Sequence, residues 1–156
     1  ANFIGFLTEN KTKVMFRNID DSHTMRFFKL QITYPKFLDY YKLPGNNPKS
    51  NTVVLAEGIF DIFSAYIFDH LNIKQHVNFY ASCLSSKYSS LIQSIVYDHQ
   101  LFQVDVIILS DRGITPEYYK KLKLFNQHII RNLSIYYNKY KKDFNETPID
   151  PEKIVI

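Results

Sequence analysis

With 156 residues, 46% of them hydrophobic, the chain can bury a sizeable core and falls in the range of about 100–200 residues typical of one domain. No stretch reaches the roughly 18 consecutive apolar residues of a membrane span, and the first residues lack the basic-then-apolar order of a signal peptide. The formal charge of +4 is uneven, because residues 1–50 hold eight Lys/Arg against four Asp/Glu while residues 51–156 hold eleven of each. A basic N-terminal part is the expected surface for a polyanion, since phosphate contacts supply most nonspecific affinity.

In chain order, Asn2 to Leu7 reads as an apolar-rich strand, Thr8-Glu9-Asn10-Lys11 as a turn, and Thr12 to Ile19 as its hairpin partner. Arg26 to Thr33 is a third strand. Alternation sets Val14 and Phe16 against Met15 and Arg17, and Phe28, Leu30 and Ile32 against Phe27, Lys29 and Gln31. Phe37 to Lys42 reads as a connecting segment, and Pro44-Gly45-Asn46-Asn47-Pro48 as a subdomain boundary. Beyond it strands and helices alternate: strand Thr52 to Ala56, helix Ile59 to His70, strand Val77 to Ala81, helix Lys87 to Tyr97, strand Val104 to Leu109. A helix from Pro116 to about Gln127 follows, with Thr115 as N-cap, and Asn132 to Tyr137 as a last strand.

This order predicts an α/β fold: a mostly parallel sheet flanked by helices over residues 51–156, preceded by a small antiparallel β subdomain over residues 1–48. A single cysteine, Cys83, excludes an internal disulfide framework and points to a cytoplasmic setting. No Cys/His cluster has zinc-ligand spacing. His70, His76, His99 and His128 read as structural or surface residues, and most of the twelve Tyr and thirteen Phe as core.

Chemistry concentrates where the apolar runs end. Val53-Val54-Leu55-Ala56 runs into Glu57-Gly58-Ile59-Phe60-Asp61, which puts one carboxylate at a strand's C-terminal end and another in the first turn of the next helix. Val104 to Ser110 runs into Asp111-Arg112-Gly113 and delivers a third carboxylate to the same sheet edge, where open α/β folds place their sites. Converging acids suit a divalent cation. Each has a plainer role open to it: Glu57 as a helix cap, Asp61 as a complement to the helix dipole, Asp111 in a polar turn, Asp143 in a solvated loop. Lys and Arg on a strand face are often simply solvated.

These motifs resemble the Toprim domain of primases, topoisomerases and some nucleases. Glu57, Gly58 and Asp61 match the family's Glu-Gly-x-x-Asp motif, and Asp111 matches the first acid of its Asp-x-Asp motif, with Gly113 standing where the second acid belongs. Lys142-Asp143-Phe144-Asn145 resembles the segment that follows the last strand of many primase-type and phage-type Toprim domains. Phe16-Arg17-Asn18-Ile19 and Arg26-Phe27-Phe28-Lys29 resemble segments of phage-encoded primases. The resemblance covers roughly residues 51–147 and implies a DNA primase catalytic core that makes short RNA primers on a single-stranded DNA template. It implies Mg2+ or Mn2+ held by Glu57, Asp61, Asp111 and Asp143, with Glu57, Asp61 and Asp111 catalytic. Lys13, Arg17, Arg26, Lys29, Arg112 and Lys142 would contact nucleic acid or ribonucleoside triphosphates. A replicative helicase or a separate zinc-binding module are the further partners it implies, and the host cytoplasm is the setting if the chain is phage-encoded. A Toprim-type nuclease and a catalytically idle nucleic-acid-binding module are the alternatives.

Overall fold

The structure, a computed structural model, describes residues 2–20, 25–146 and 149–156. Strands β1 (Phe3–Leu7), β2 (Lys13–Asn18) and β3 (Phe27–Gln31) form an antiparallel sheet in that order. A larger sheet holds β4 (Tyr41–Pro44), β5 (Thr52–Ala56), β6 (Phe79–Ser82), β7 (Val104–Ser110), β8 (Ile130–Asn138) and β9 (Pro151–Val155). Its spatial order is β4-β6-β5-β7-β8-β9. The four central strands run parallel, and β4 and β9 close the two edges antiparallel. The helices are α1 (Ile59–Phe68), α2 (Tyr88–His99) and α3 (Pro116–Phe125). None of the described helices is long and apolar enough to cross a membrane.

The central strands are apolar on both faces because both faces are covered. Val53, Val54, Leu55 and Ala56 are all fully buried. Val53 and Leu55 pack with Leu91, Ile92 and Ile95 of α2 and Tyr119 and Leu122 of α3, whereas Val54 and Ala56 pack with Ile62 and Ala65 of α1. The helices therefore lie on opposite sides of the sheet. Pro116 starts α3 at a position where its missing N–H costs nothing, and Thr115 is the N-cap residue, although its side chain makes no capping bond.

Two strands lie outside the elements expected from the sequence. The segment expected to be a plain connection, Phe37 to Lys42, runs into β4, whose Tyr41 and Lys42 pair with Ser82 and Ala81. At its end the Gly45 N–H donates to the Asn78 carbonyl at 2.7 Å. A Cβ there would lie 2.2 Å from the Val77 carbonyl oxygen, so only glycine permits this approach. At the other edge, β9 pairs with β8 from Ser134↔Val155 to Asn138↔Pro151.

In the small sheet the face carrying Met15 and Arg17 turns toward α1. Phe6 and Met15 are buried with Ile59 and pack on Tyr41, Phe60, Phe63 and Leu84. The opposite face is open to solvent and rich in aromatic rings: Phe16 and Phe28 stack at 4.6 Å and Phe3 meets Phe28 edge-on at 5.0 Å. Phe28 and Leu30 are 38% and 54% exposed.

One buried carboxylate ties the two sheets together. Asp39, fully buried, accepts hydrogen bonds from the Thr8 hydroxyl, from the Thr12 hydroxyl at 2.6 Å, and from the N–H groups of Thr12, Asn10 and Tyr40 at 3.2, 3.0 and 2.9 Å. Burial opposes its ionisation, but the Thr12 and Thr8 hydroxyls and the N–H groups of Asn10 and Tyr40 outweigh it and hold its pKa below the usual carboxylate value. The β1–β2 turn is thus clamped to the entry of β4, and the Glu9 N–H adds a bond to the Tyr40 carbonyl at 2.7 Å. Asp39→Ala leaves several buried donors unpaired and is expected to cost about 3 kcal/mol or more. Urea denaturation checks this; a loss below about 1 kcal/mol would show that the clamp contributes little.

Candidate functional site

β5 connects to β6 through α1 on one face, and β6 returns to β7 through α2 on the other, so the chain diverges at the adjacent tips of β5 and β7. A crevice opens at such a switch point, beyond the carboxyl ends of the strands. Glu57 follows β5 and Asp111 follows β7, in strands registered Ala56↔Leu109. The Ser82 hydroxyl donates to the Glu57 carbonyl at 2.6 Å and fixes the strand-to-helix turn. Gly58 is the N-cap of α1, with φ −95° and ψ 142°. Any residue could adopt those angles, but a Cβ would stand 2.8 Å from Asp61 Oδ2. Any larger residue there would push the Asp61 carboxylate from its place.

Asp61 is 6% exposed, and its Oδ1 accepts the Asn145 N–H at 3.1 Å. That bond comes from the loop after β8, which is anchored by fully buried Phe144 under α1. The loop is further held by the Arg112 N–H donating to the Lys142 carbonyl at 3.0 Å and by the Asn138 side-chain amide donating to the Glu146 carbonyl at 2.8 Å. Asp143 is carried to the site by the same loop.

Glu57, Asp61, Asp111 and Asp143 line one cleft of about 240 Å³. Arg17 and Arg26 of the small sheet form its other wall. Met15, Phe27, Phe60 and Leu84 supply apolar lining, and the Arg17 guanidinium lies 5.3 Å from the Phe60 ring centroid. Leu84 reaches the cleft from a left-handed backbone position, φ 56°. The other basic residues singled out in the sequence do not line it. Lys13 is buried on β2. Lys29 donates to the Cys83 carbonyl at 3.4 Å, and its pKa is lowered by burial of its ammonium and by neighbouring Lys13. The Arg112 guanidinium donates to the Asn138 carbonyl at 3.0 Å. Lys142 is exposed, with its charge acting on Asp111.

Asn145, Phe60 and Leu84 join the site without having been singled out. Asn145 sits inside the Lys142-Asp143-Phe144-Asn145 segment, so its neighbours were the available signal; Leu84 had none.

The acids perturb one another. Burial, then the Asp111 charge, pushes the Asp61 pKa up to about 7, against the bond from Asn145. Burial, then Glu57, pushes Asp111 up to about 6, with Lys142 opposing. Among the described residues no group of three or more Asp, Glu, His or Cys side chains stands close enough to enclose a metal ion. The donor set fits instead a hard cation bound through one or two of the carboxylates that line the cleft, with waters and ligand phosphates completing its shell. No protein-family model, curated protein or solved structure matches the chain.

Because folded Asp61 holds its proton more tightly than the unfolded chain does, the folded state binds more protons between pH 3.8 and about 7. Stability must then fall as pH rises through that window. In metal-free buffer Tm is expected to decline across it, and Asp61→Asn to remove much of the decline. Equal slopes in a pH series of thermal melts would contradict the assignment.

Proposed function

We propose that the chain is a Toprim-type DNA primase core that joins ribonucleotides on a single-stranded DNA template with Mg2+ or Mn2+. The observation that carries this reading is the convergence of Glu57, Asp61, Asp111 and Asp143 in one cleft, opposite Arg17 and Arg26. The cleft, at about 240 Å³, is smaller than the roughly 300–1,000 Å³ of sites that enclose a drug-sized ligand. It takes the phosphates and reacting sugar edge and leaves the rest of template and nucleotide at the surface.

In this reading Arg17 and Arg26 bind the triphosphate, with Arg17 preset by its packing on Phe60. Asp61 and Asp111 hold the cation, which when bound neutralises charge developing on the α-phosphoryl and pyrophosphate groups. The primer 3′-hydroxyl oxygen forms the new bond to the α-phosphorus, the α–β bridging bond breaks, and pyrophosphate leaves. Glu57, half-buried at the crevice rim, accepts the hydroxyl proton, or would serve as a further ligand with the proton passing to water. No covalent intermediate on the protein is needed.

The competing reading is a binding module without catalysis, and the Gly113 position favours it, since the second acid of the motif is missing there. Ribonucleotide incorporation on single-stranded DNA with Mn2+ supports the primase reading, phosphodiester cleavage replaces it with a nuclease, and salt-sensitive binding without turnover leaves the idle module. Glu57→Gln is expected to reduce primer synthesis at least a hundredfold with an unchanged melting profile; near-normal synthesis would refute Glu57's role.

A Cβ at Gly113 meets nothing within 4 Å, and Gly113 is not among the residues of positive φ. Gly113→Asp therefore installs a carboxylate without strain beside Asp111. Calorimetric titration should find Mn2+ bound about tenfold more tightly by this variant, and an unchanged affinity would mean that position 113 does not face the cation.

A further inference from the structure

Three buried tyrosines, Tyr88, Tyr119 and Tyr137, lie near the C-terminal ends of the parallel strands, and two of their hydroxyls have partners. Tyr119 shares a 2.6 Å hydrogen bond with the Ser110 hydroxyl, and Tyr137 donates to the Ile114 carbonyl at 2.8 Å. Tyr88, the first residue of α2, is fully buried, and its hydroxyl has no hydrogen-bond partner among the described residues. Its ring lies 6.1 Å from that of Tyr119. Position explains the anomaly. α2 follows β6 after the loop from Cys83 to Lys87, and β6 adjoins β5 with Ser82 level with Ala56, which sets Tyr88 behind the strand tip that carries Glu57. Burial first, then Tyr119 and the charges of Glu57, Asp111 and Asp61, hold the Tyr88 pKa well above its ordinary value. The phenol is thus a neutral O–H donor with carboxylates in electrostatic reach and no acceptor engaged. Natural proteins seldom leave such a group unpaired without a use for it.

We propose that Tyr88 is a positioning residue of the acidic site: when a divalent cation enters the cleft, the Tyr88 hydroxyl, unengaged without the ion, donates to one oxygen of the Glu57 carboxylate and holds the other oxygen toward the cation. This rests on the reading that the acids bind such a cation. Groups that orient a metal-binding side chain from behind characteristically change metal affinity by 10–100-fold when removed.

The test is Tyr88→Phe, which deletes one oxygen and keeps the packing. Mn2+ titration of the full chain followed by electron paramagnetic resonance is expected to show about tenfold weaker binding, while Tm in EDTA stays equal or rises because an unpaired buried hydroxyl is gone. In a Glu57→Gln background the same change should have no further effect on Mn2+ affinity. In the wild-type protein carrying 3-fluorotyrosine at position 88, the fluorine resonance should move on addition of Mg2+, and with Glu57→Gln it should not. Wild-type affinity in Tyr88→Phe, an effect that adds fully to that of Glu57→Gln, or a fluorine signal indifferent to Mg2+ overturns this inference alone. A wild-type chain that binds no Mn2+ overturns the cation reading and this inference with it.

Discussion

β5 and β7 leave the sheet side by side toward helices on opposite faces, and the crevice this divergence opens is filled with negative charge. Parallel strands align their carboxyl ends, so residues just past two neighbouring tips are delivered to one place whatever their separation in sequence. Here the residues are Glu57 and Asp111, fifty-four positions apart, with Asp61 one helical turn behind the first. Much of the surrounding structure accommodates that choice. Gly58 yields the space for a buried carboxylate, and Asn145 meets it with a backbone N–H. The loop that carries Asn145 is pinned by Phe144, whose burial against Val54, Ala56 and Ile62 turns an otherwise polar loop into a fixed wall.

The small sheet completes the site through a separate device. Its hairpin turn is clamped at Asp39, and its inner face packs through Phe6 and Met15 onto the start of α1. These contacts set the sheet so that Arg17 and Arg26 line the same cleft as the acids. If the clamp were loose, the cations would wander over a surface on which each is worth little; held, they form a wall of defined position. The energetic role of Asp39 and the chemical role of the cleft are therefore linked through the orientation of one three-stranded sheet.

Much of this was readable in the residue order, for a physical reason. Buried parallel strands must be apolar on both faces, so runs such as Val53 to Ala56 and Val104 to Leu109 stand out, and so do the acids that end them. The edge strands escaped because edges face different demands. Tyr41-Lys42-Leu43-Pro44 is four residues long and ends in proline, which a central strand would not tolerate, and its partner β6 is distant in sequence. Pro151 to Val155 likewise carries charged residues suited to an edge. In the small sheet alternation separated the two faces correctly but not which one is covered. The covered side is the one bearing Lys13, Met15 and Arg17, because Phe6 and Met15 meet Ile59 there. For the same reason a count of basic residues could not tell Arg17 and Arg26, which line the cleft, from Lys29 and Arg112, which are spent on backbone carbonyls.

The charges of the cleft are set against each other without being paired. The ion pairs among the described residues join Lys42 to Glu9, Lys120 to Glu117, Arg131 to Asp105 and Lys139 to Asp150; none links Arg17 or Arg26 to the acids they face. The buried Arg17 Nε has no hydrogen-bond partner among the described residues, while Asp61 and Asp111 are driven toward protonation by burial first and then by the charges of neighbouring carboxylates. A protein selected for stability alone would let these groups neutralise one another. Kept apart across a narrow cleft, they favour a ligand that satisfies both walls at once, with anionic oxygens for the arginines and a cation to relieve the carboxylates. A metal-bound triphosphate has that composition, whereas a bare anion would meet the acids unfavourably and a bare cation would leave the arginines unmatched. The separation of charge, more than the count of acids, is what supports the proposal of phosphoryl chemistry over simple anion or metal storage.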